Sequence, residues 1–168
     1  MPGYRFIASN TDRSKYYVGE LNGRSSTQAY MDALHISESN IINQTFHNPL
    51  GKMNGQDICI ISLKEVSGNG LCCYRQVNDS DVLVLLEEQD YNEILDETLQ
   101  RIRRDFNHIS GVFSINCVFR YLLFSQEHHM EDYLKTMSTL GEHAGLIGFG
   151  EHYNQQFVNQ TMTCVVFE

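Results

Sequence analysis

Tryptophan is absent and proline occurs only twice in the 168 residues, which excludes proline-rich linkers. No run of about 18 apolar residues exists, so no segment reads as a membrane-spanning helix. The opening stretch, MPGYRFIASNTD, has no apolar core of signal-peptide length. Positive charge is scarce: 12 Lys and Arg stand against 21 Asp and Glu, for a formal charge of -9. A nucleic-acid partner needs a basic face that displaces counterions from phosphates. The densest basic cluster, Arg101, Arg103 and Arg104, is diluted by Glu97 and Asp105 and reads as a solvated helix face. Neither CxxC nor HExxH occurs, so no spacing marks a metal site.

What is there describes a globular chain. Hydrophobic residues make up 42% and charged ones 20%, enough apolar content for one domain with a real core. The five cysteines, Cys59, Cys72, Cys73, Cys117 and Cys164, are odd in number, and four lie inside apolar runs. They read as buried thiols in a reducing, cytoplasmic setting.

Along the chain, residues 1–13 read as a lead-in, with a first strand over 5–8. Tyr16 to Leu21 is strand-like and ends at an Asn22-Gly23 turn. Ser25 or Ser26 caps a short helix with Ala29, Tyr30, Ala33 and Leu34 on its apolar face. Residues 36–56 read mainly as loop. Ile58 to Val66, Leu71 to Val77 and Val82 to Leu86 read as a three-stranded antiparallel meander. Leu95, Leu99, Ile102, Phe106 and Ile109 line one face of the best helix, with Asp90 as N-cap and Glu93 as capping-box partner. Val112 to Ile115 is a strand that hands over to a helix. A further helix ends at Gly141, and short strands follow at 145–149 and 161–167. The expected fold is α+β, in mixed α/β layers: a mostly antiparallel sheet packed with three to four helices.

Three segments could carry chemistry. Ser114-Ile-Asn-Cys-Val-Phe-Arg120 places Asn116 and Cys117 at a strand-to-helix junction, where unpaired backbone donors attract anions. Arg120, one turn in, suits a carboxylate. In the plainer reading, Asn116 caps the helix, Cys117 is core and Arg120 meets a protein carboxylate. A helix N-terminus also lowers a thiol pKa, which makes Cys117 a candidate nucleophile in need of a base. Gly145-Leu-Ile-Gly-Phe-Gly-Glu151 sets three glycines around a short strand, with Glu151 at its end where an amine could bind. The alternative is a bulge and turn with a structural carboxylate. Asn159 and Thr161 offer hydrogen bonds before the last strand, or simply form its turn.

Taken together, the segments resemble the C-terminal domain of the FIST family, the F-box and intracellular signal transduction sensory domains. The similarity runs through YYVGELNGRSSTQAYMDAL (16–34), HNPLG (47–51), GVFSINCVFR (111–120) and GLIGFGEHYNQQFVNQTMTCVVFE (145–168). It covers the chain from about residue 5 and casts 14–168 as the sensory domain. The resemblance implies an intracellular input domain that binds a small ligand such as an amino acid. It also implies coupling to an output domain, in the same or a partner chain, of the chemotaxis-transducer, kinase or cyclic-nucleotide type. Family members carry an N-terminal FIST domain ahead of this one, so the sequence reads as a fragment or reduced version. Motif position carries ligand binding over to Asn116, Cys117, Arg120, Glu151 and Asn159, with Arg120 taking a carboxylate and Glu151 an ammonium. No catalytic residue and no metal site are expected. Two other readings stay open: a haem-based nitric-oxide sensor using one histidine, and an interaction domain that works as a homodimer.

Overall fold

Alternation of buried and exposed side chains starts almost at once. In strand β1 (Arg5–Asp12), Phe6 and Ala8 point inward while Arg5 and Ile7 face out. The segment read as a lead-in thus supplies the middle strand of a sheet. The computed structural model describes residues 3–55, 57–153 and 156–168. They group into two compact units, 1–87 and 88–168, where the sequence suggested one.

The first unit continues with β2 (Tyr17–Leu21), β3 (Arg24–Ser25), α1 (Ser26–Leu34), a 3-10 turn (Glu38–Asn40) and the single-turn α2 (Ile41–Gln44). It is completed by β4 (Leu50–Asn54), β5 (Asp57–Ile61), β6 (Leu63–Ser67), β7 (Gly70–Cys73) and β8 (Val82–Leu85). The sheet order is β5-β4-β8-β1-β2-β7-β6, with β3 on β2 and every pairing antiparallel. Ser25 Oγ accepts from Gln28 N at 3.3 Å and caps α1, as its position suggested. Tyr30, Leu21, Ile41, Leu50, Ile61 and Leu83 are wholly buried together in the core.

Two expectations change here. The apolar run 58–66 is not one strand. It breaks at buried Ser62, where Thr45 Oγ1 takes the amide of Leu63 at 2.8 Å. Its halves, β5 and β6, lie at opposite ends of the strand order. Of the predicted meander only the β6–β7 hairpin forms, because β8 inserts between β1 and β4. The stretch 36–56 holds α2 and β4 instead of loop. Non-local pairing with β5 and β8 makes β4 a strand, and local pattern does not report such pairing.

The second unit holds α3 (Tyr91–Asp105), β9 (Gly111–Cys117), α4 (Val118–Gln126), α5 (Met130–Met137), a 3-10 turn (Ser138–Leu140) and β10 (Glu142–Gly148). Then come β11 (Glu151–Tyr153), β12 (Gln156–Val158) and β13 (Met162–Phe167). Asp90 caps α3 by accepting from Asn92 N and Glu93 N at 2.9 and 3.2 Å, and Leu95, Leu99 and Ile102 are buried as their spacing predicts. The helix stops before Phe106, which is extended, so Ile109 falls outside it. Arg101, Arg103 and Arg104 are exposed.

Strand β9 is central, with β10 parallel on one side and β13 antiparallel on the other; β11 and β12 form a separate hairpin. The α+β class with mostly antiparallel strands holds, with five α-helices among the described residues, counting the single turn of α2. Among the described residues, no helix is long and apolar enough to cross a membrane.

Candidate functional site

Pairing in the second unit brings several chain ends to one place. The parallel strands β9 and β10 run in register from Gly111↔Glu142 to Cys117↔Gly148, so both finish side by side. Strand β13 enters opposite, at Met162↔Asn116. Helix α4 starts directly from β9, with Cys117 as its extended N-cap residue. Crevices beyond the carboxyl ends of parallel strands are where open α/β sheets bind ligands.

The inward face of β9 carries Val112, Ser114 and Asn116, spaced by two and all buried. Two of the three are polar, and both meet α5. Tyr133, itself buried, accepts a hydrogen bond from Asn116 Nδ2 at 2.7 Å and lies 3.4 Å from Ser114 Oγ. Its hydroxyl donates to Met162 Sδ at 3.2 Å. Ser114 Oγ also meets His143 Nε2 of β10 at 2.9 Å. Gly145 makes room for this ladder: a Cβ there would stand 2.5 Å from Ser114 Oγ and 2.6 Å from its carbonyl oxygen. The close approach read from the glycines is therefore that of a neighbouring strand.

Of the plainer reading of the junction, Cys117 is buried as expected, but the roles given to Asn116 and Arg120 are displaced. The cap position belongs to Cys117, while the Asn116 side chain turns inward to Tyr133 and leaves Oδ1 buried without a partner. Arg120 meets rings instead of a carboxylate. Its guanidinium carbon lies 4.6 Å from the Phe124 centroid and 5.7 Å from that of Tyr133, and Nε is buried with no hydrogen bond. Burial holds this guanidinium below its ordinary pKa, with Tyr133 opposing.

Glu151 opens β11, past the end of β10, and is only 2% exposed. Its Oε2 accepts from Thr161 Oγ1 at 3.1 Å, and the Cys117 thiol also donates to the carboxylate. Its Oε1 has no partner, and a Cβ on Gly148 would lie 3.5 Å from it. Burial raises the Glu151 pKa above the usual carboxylate value, and the two hydrogen bonds only partly offset this. The turn before β13 is tied to the same point: Cys117 N donates to Thr161 O at 3.0 Å, and Gln160 has φ 54°. Asn159, one residue earlier, is buried.

Of the five residues singled out in the sequence, Asn116, Cys117 and Glu151 are joined by adjacency and a hydrogen bond. Arg120 joins Asn116 through Tyr133, and Asn159 sits on the turn that holds Thr161. No ion pair links Arg120 with Glu151 among the described residues. Tyr133, Ser114, His143 and Met162 were not anticipated. Tyr133 read as one apolar position of α5, and only the two-residue spacing of Ser114 and Asn116 on one strand face hinted at a polar partner.

The low thiol pKa expected for Cys117 at a helix N-terminus runs against its burial. Burial raises its thiol pKa, outweighing the nearby backbone amides of Gln160, Phe119 and Arg120. At His129 and His143 a haem would fit poorly. His129 keeps a buried Nε2 without a partner, but the rings of Tyr91 and Phe124 stand 4.4 and 4.9 Å from its own. A porphyrin could not lie against that ring without displacing them. His143 Nε2 is engaged by Ser114.

The first unit carries a separate hollow of about 230 Å³, walled by Phe6, Leu21 and Ala29. Its charged residues, Arg24 and Asp32, are ion-paired with each other.

A family model, that of the FIST C domain, matches residues 27–154, which takes in every candidate residue except Asn159. No curated protein and no solved structure matches the chain.

Proposed function

The chain belongs to the FIST C domain family, a family of signal-transduction sensory domains, and from that premise we propose that its second unit is the receptor for a small zwitterionic ligand, an amino acid being the simplest. One observation carries this: three buried polar atoms around the β9–α4 junction lack partners, namely Asn116 Oδ1, Glu151 Oε1 and Arg120 Nε. A buried polar group left unsatisfied costs about 1–3 kcal/mol, and more if charged. A sequence tolerates that where a ligand completes the set. The two acceptors suit an ammonium, and the guanidinium suits a carboxylate. Cys117 and Thr161 hold Glu151 in place, and the turn carrying Asn159 braces that grip.

Binding, and not catalysis, is the reading these groups favour. Burial raises the Cys117 thiol pKa, and its proton serves Glu151 instead of a reaction. The protein is then an input module whose ligand alters an output domain, in the same chain or in a partner, of the chemotaxis-transducer or kinase type.

Calorimetric titration with the twenty common amino acids tests the proposal, on the wild-type protein and on Arg120→Ala. Micromolar to millimolar binding that is lost in the variant is the expected result. A wild-type protein that binds none of them rejects it.

A further inference from the structure

One hydroxyl sets the polarity of the site. The Tyr133 hydroxyl has a single proton, which it gives to Met162 Sδ at 3.2 Å. A thioether can only accept. The remaining capacity of the Tyr133 oxygen is therefore acceptance, and Asn116 Nδ2 fills it at 2.7 Å. An amide that spends its NH2 on Tyr133 turns its oxygen the other way, and Asn116 Oδ1 is the buried atom left without a partner. The Arg120 guanidinium lies over the same Tyr133 ring, so one side chain orients both ends of the site.

We infer that Tyr133, directed by Met162, is a positioning residue that holds the Asn116 amide with its oxygen toward the ligand. This end of the site then takes a hydrogen-bond donor such as an ammonium and rejects a carbonyl in its place. The inference rests on the receptor reading and narrows it, by naming what makes the site prefer an amine over a keto group. A reversed amide would offer two N–H donors instead, and the preference would reverse with it.

Met162→Leu is the sharpest variant, because it keeps the volume and the Tyr133 hydroxyl but removes the acceptor. The hydroxyl proton is then free to turn to Asn116 Oδ1 with the amide reversed, in competition with Ser114 Oγ at 3.4 Å. Two readouts apply. In the ligand-free protein, proton NMR should show contacts between the Asn116 side-chain NH2 and the Tyr133 ring, lost in Met162→Leu. In calorimetry, each common amino acid except proline is compared with its α-keto acid. The wild type should favour the amine form, and Met162→Leu should cut that preference about tenfold or more. Adding Asn116→Asp, which has only acceptors, should restore it; a merely structural role for Met162 would not give that rescue. Absence of the NMR contacts in the wild type overturns the inference, as does an unchanged preference in Met162→Leu. Should the wild type bind no member of the panel, the receptor reading fails, and the ligand-free NMR contacts still decide the orientation of Asn116.

Discussion

The two units treat buried polarity in opposite ways. In the first, the interior is apolar and buried hydroxyls such as those of Ser26 and Tyr30 are matched: Ser26 Oγ donates to Val18 O at 2.6 Å, and Tyr30 donates to Asn48 O at 2.7 Å. Among its described residues Thr27 Oγ1 and Asn78 Oδ1 are left over, both neutral. In the second, Asn116, Arg120, His129 and Glu151 each bury a polar atom with no partner, and three of the four are ionisable, among them a guanidinium and a carboxyl group. A packed apolar interior maximises stability, whereas unsatisfied charge lowers it and is kept where function needs it. On the proposed reading, the difference puts the ligand site in 88–168 and gives 1–87 the character of a stable platform.

The comparison can be broken first in the platform. Leu50→Ala or Leu83→Ala removes a wholly buried side chain and should cost about 3 kcal/mol in denaturant unfolding, while amino-acid affinity in the folded protein stays unchanged. A change in affinity would contradict the assignment of binding to the other unit. Next comes Gly145→Ala. Its Cβ would press on Ser114 Oγ and on the Ser114 carbonyl, and backbone cannot yield, so a loss of about 2 kcal/mol is expected. Ligand binding should weaken in parallel, because Ser114 supports Tyr133.

Glu151→Gln should act in the reverse direction. It removes a buried, incompletely paired carboxylate, so the variant should be about 1 kcal/mol more stable than wild type at neutral pH yet fail to bind an ammonium. The sign of the pH dependence follows from the raised pKa. As pH rises from acid, the unfolded carboxyl loses its proton first, near its ordinary 4.5, and the folded one later. The stability advantage of Glu151→Gln over wild type therefore grows across that interval, and the two converge in acid. Parallel curves would mean that Glu151 is fully satisfied. The smallest expected effect is that of Arg120→Met. The stem still covers Phe124 and only the cation–π contacts to Phe124 and Tyr133 are lost, so stability should change by less than about 1 kcal/mol while carboxylate binding disappears.

Much of this was legible in the residues. The capping of α3 by Asp90, the period of Leu95, Leu99 and Ile102, and the hand-over at Cys117 are local signals, and local hydrogen bonds carry them out. The family's segments also marked the right end of β9. Non-local pairing was hidden. Nothing near Leu50–Asn54 announces a strand, because β8 and β5 make it one. Nothing near Ser62 announces a break, because Thr45 and Tyr74 hold it from elsewhere in the chain. At the site, charges were easy to notice and their organiser was not. Arg120 and Glu151 stood out as the two charged ends of a ligand site, yet the Tyr133 ring and Thr161 are groups they meet. A tyrosine on a helix face carries no mark in sequence of where its hydroxyl ends.

Backbone amide NMR, followed while the amino-acid panel is added, examines the central claim most directly. Signals of Asn116, Cys117, Arg120, Glu151 and 159–161 should move and saturate with at least one amino acid. A folded protein whose spectrum stays still throughout, or whose changes gather around Phe6 and Leu21 in the hollow of the first unit, would contradict it.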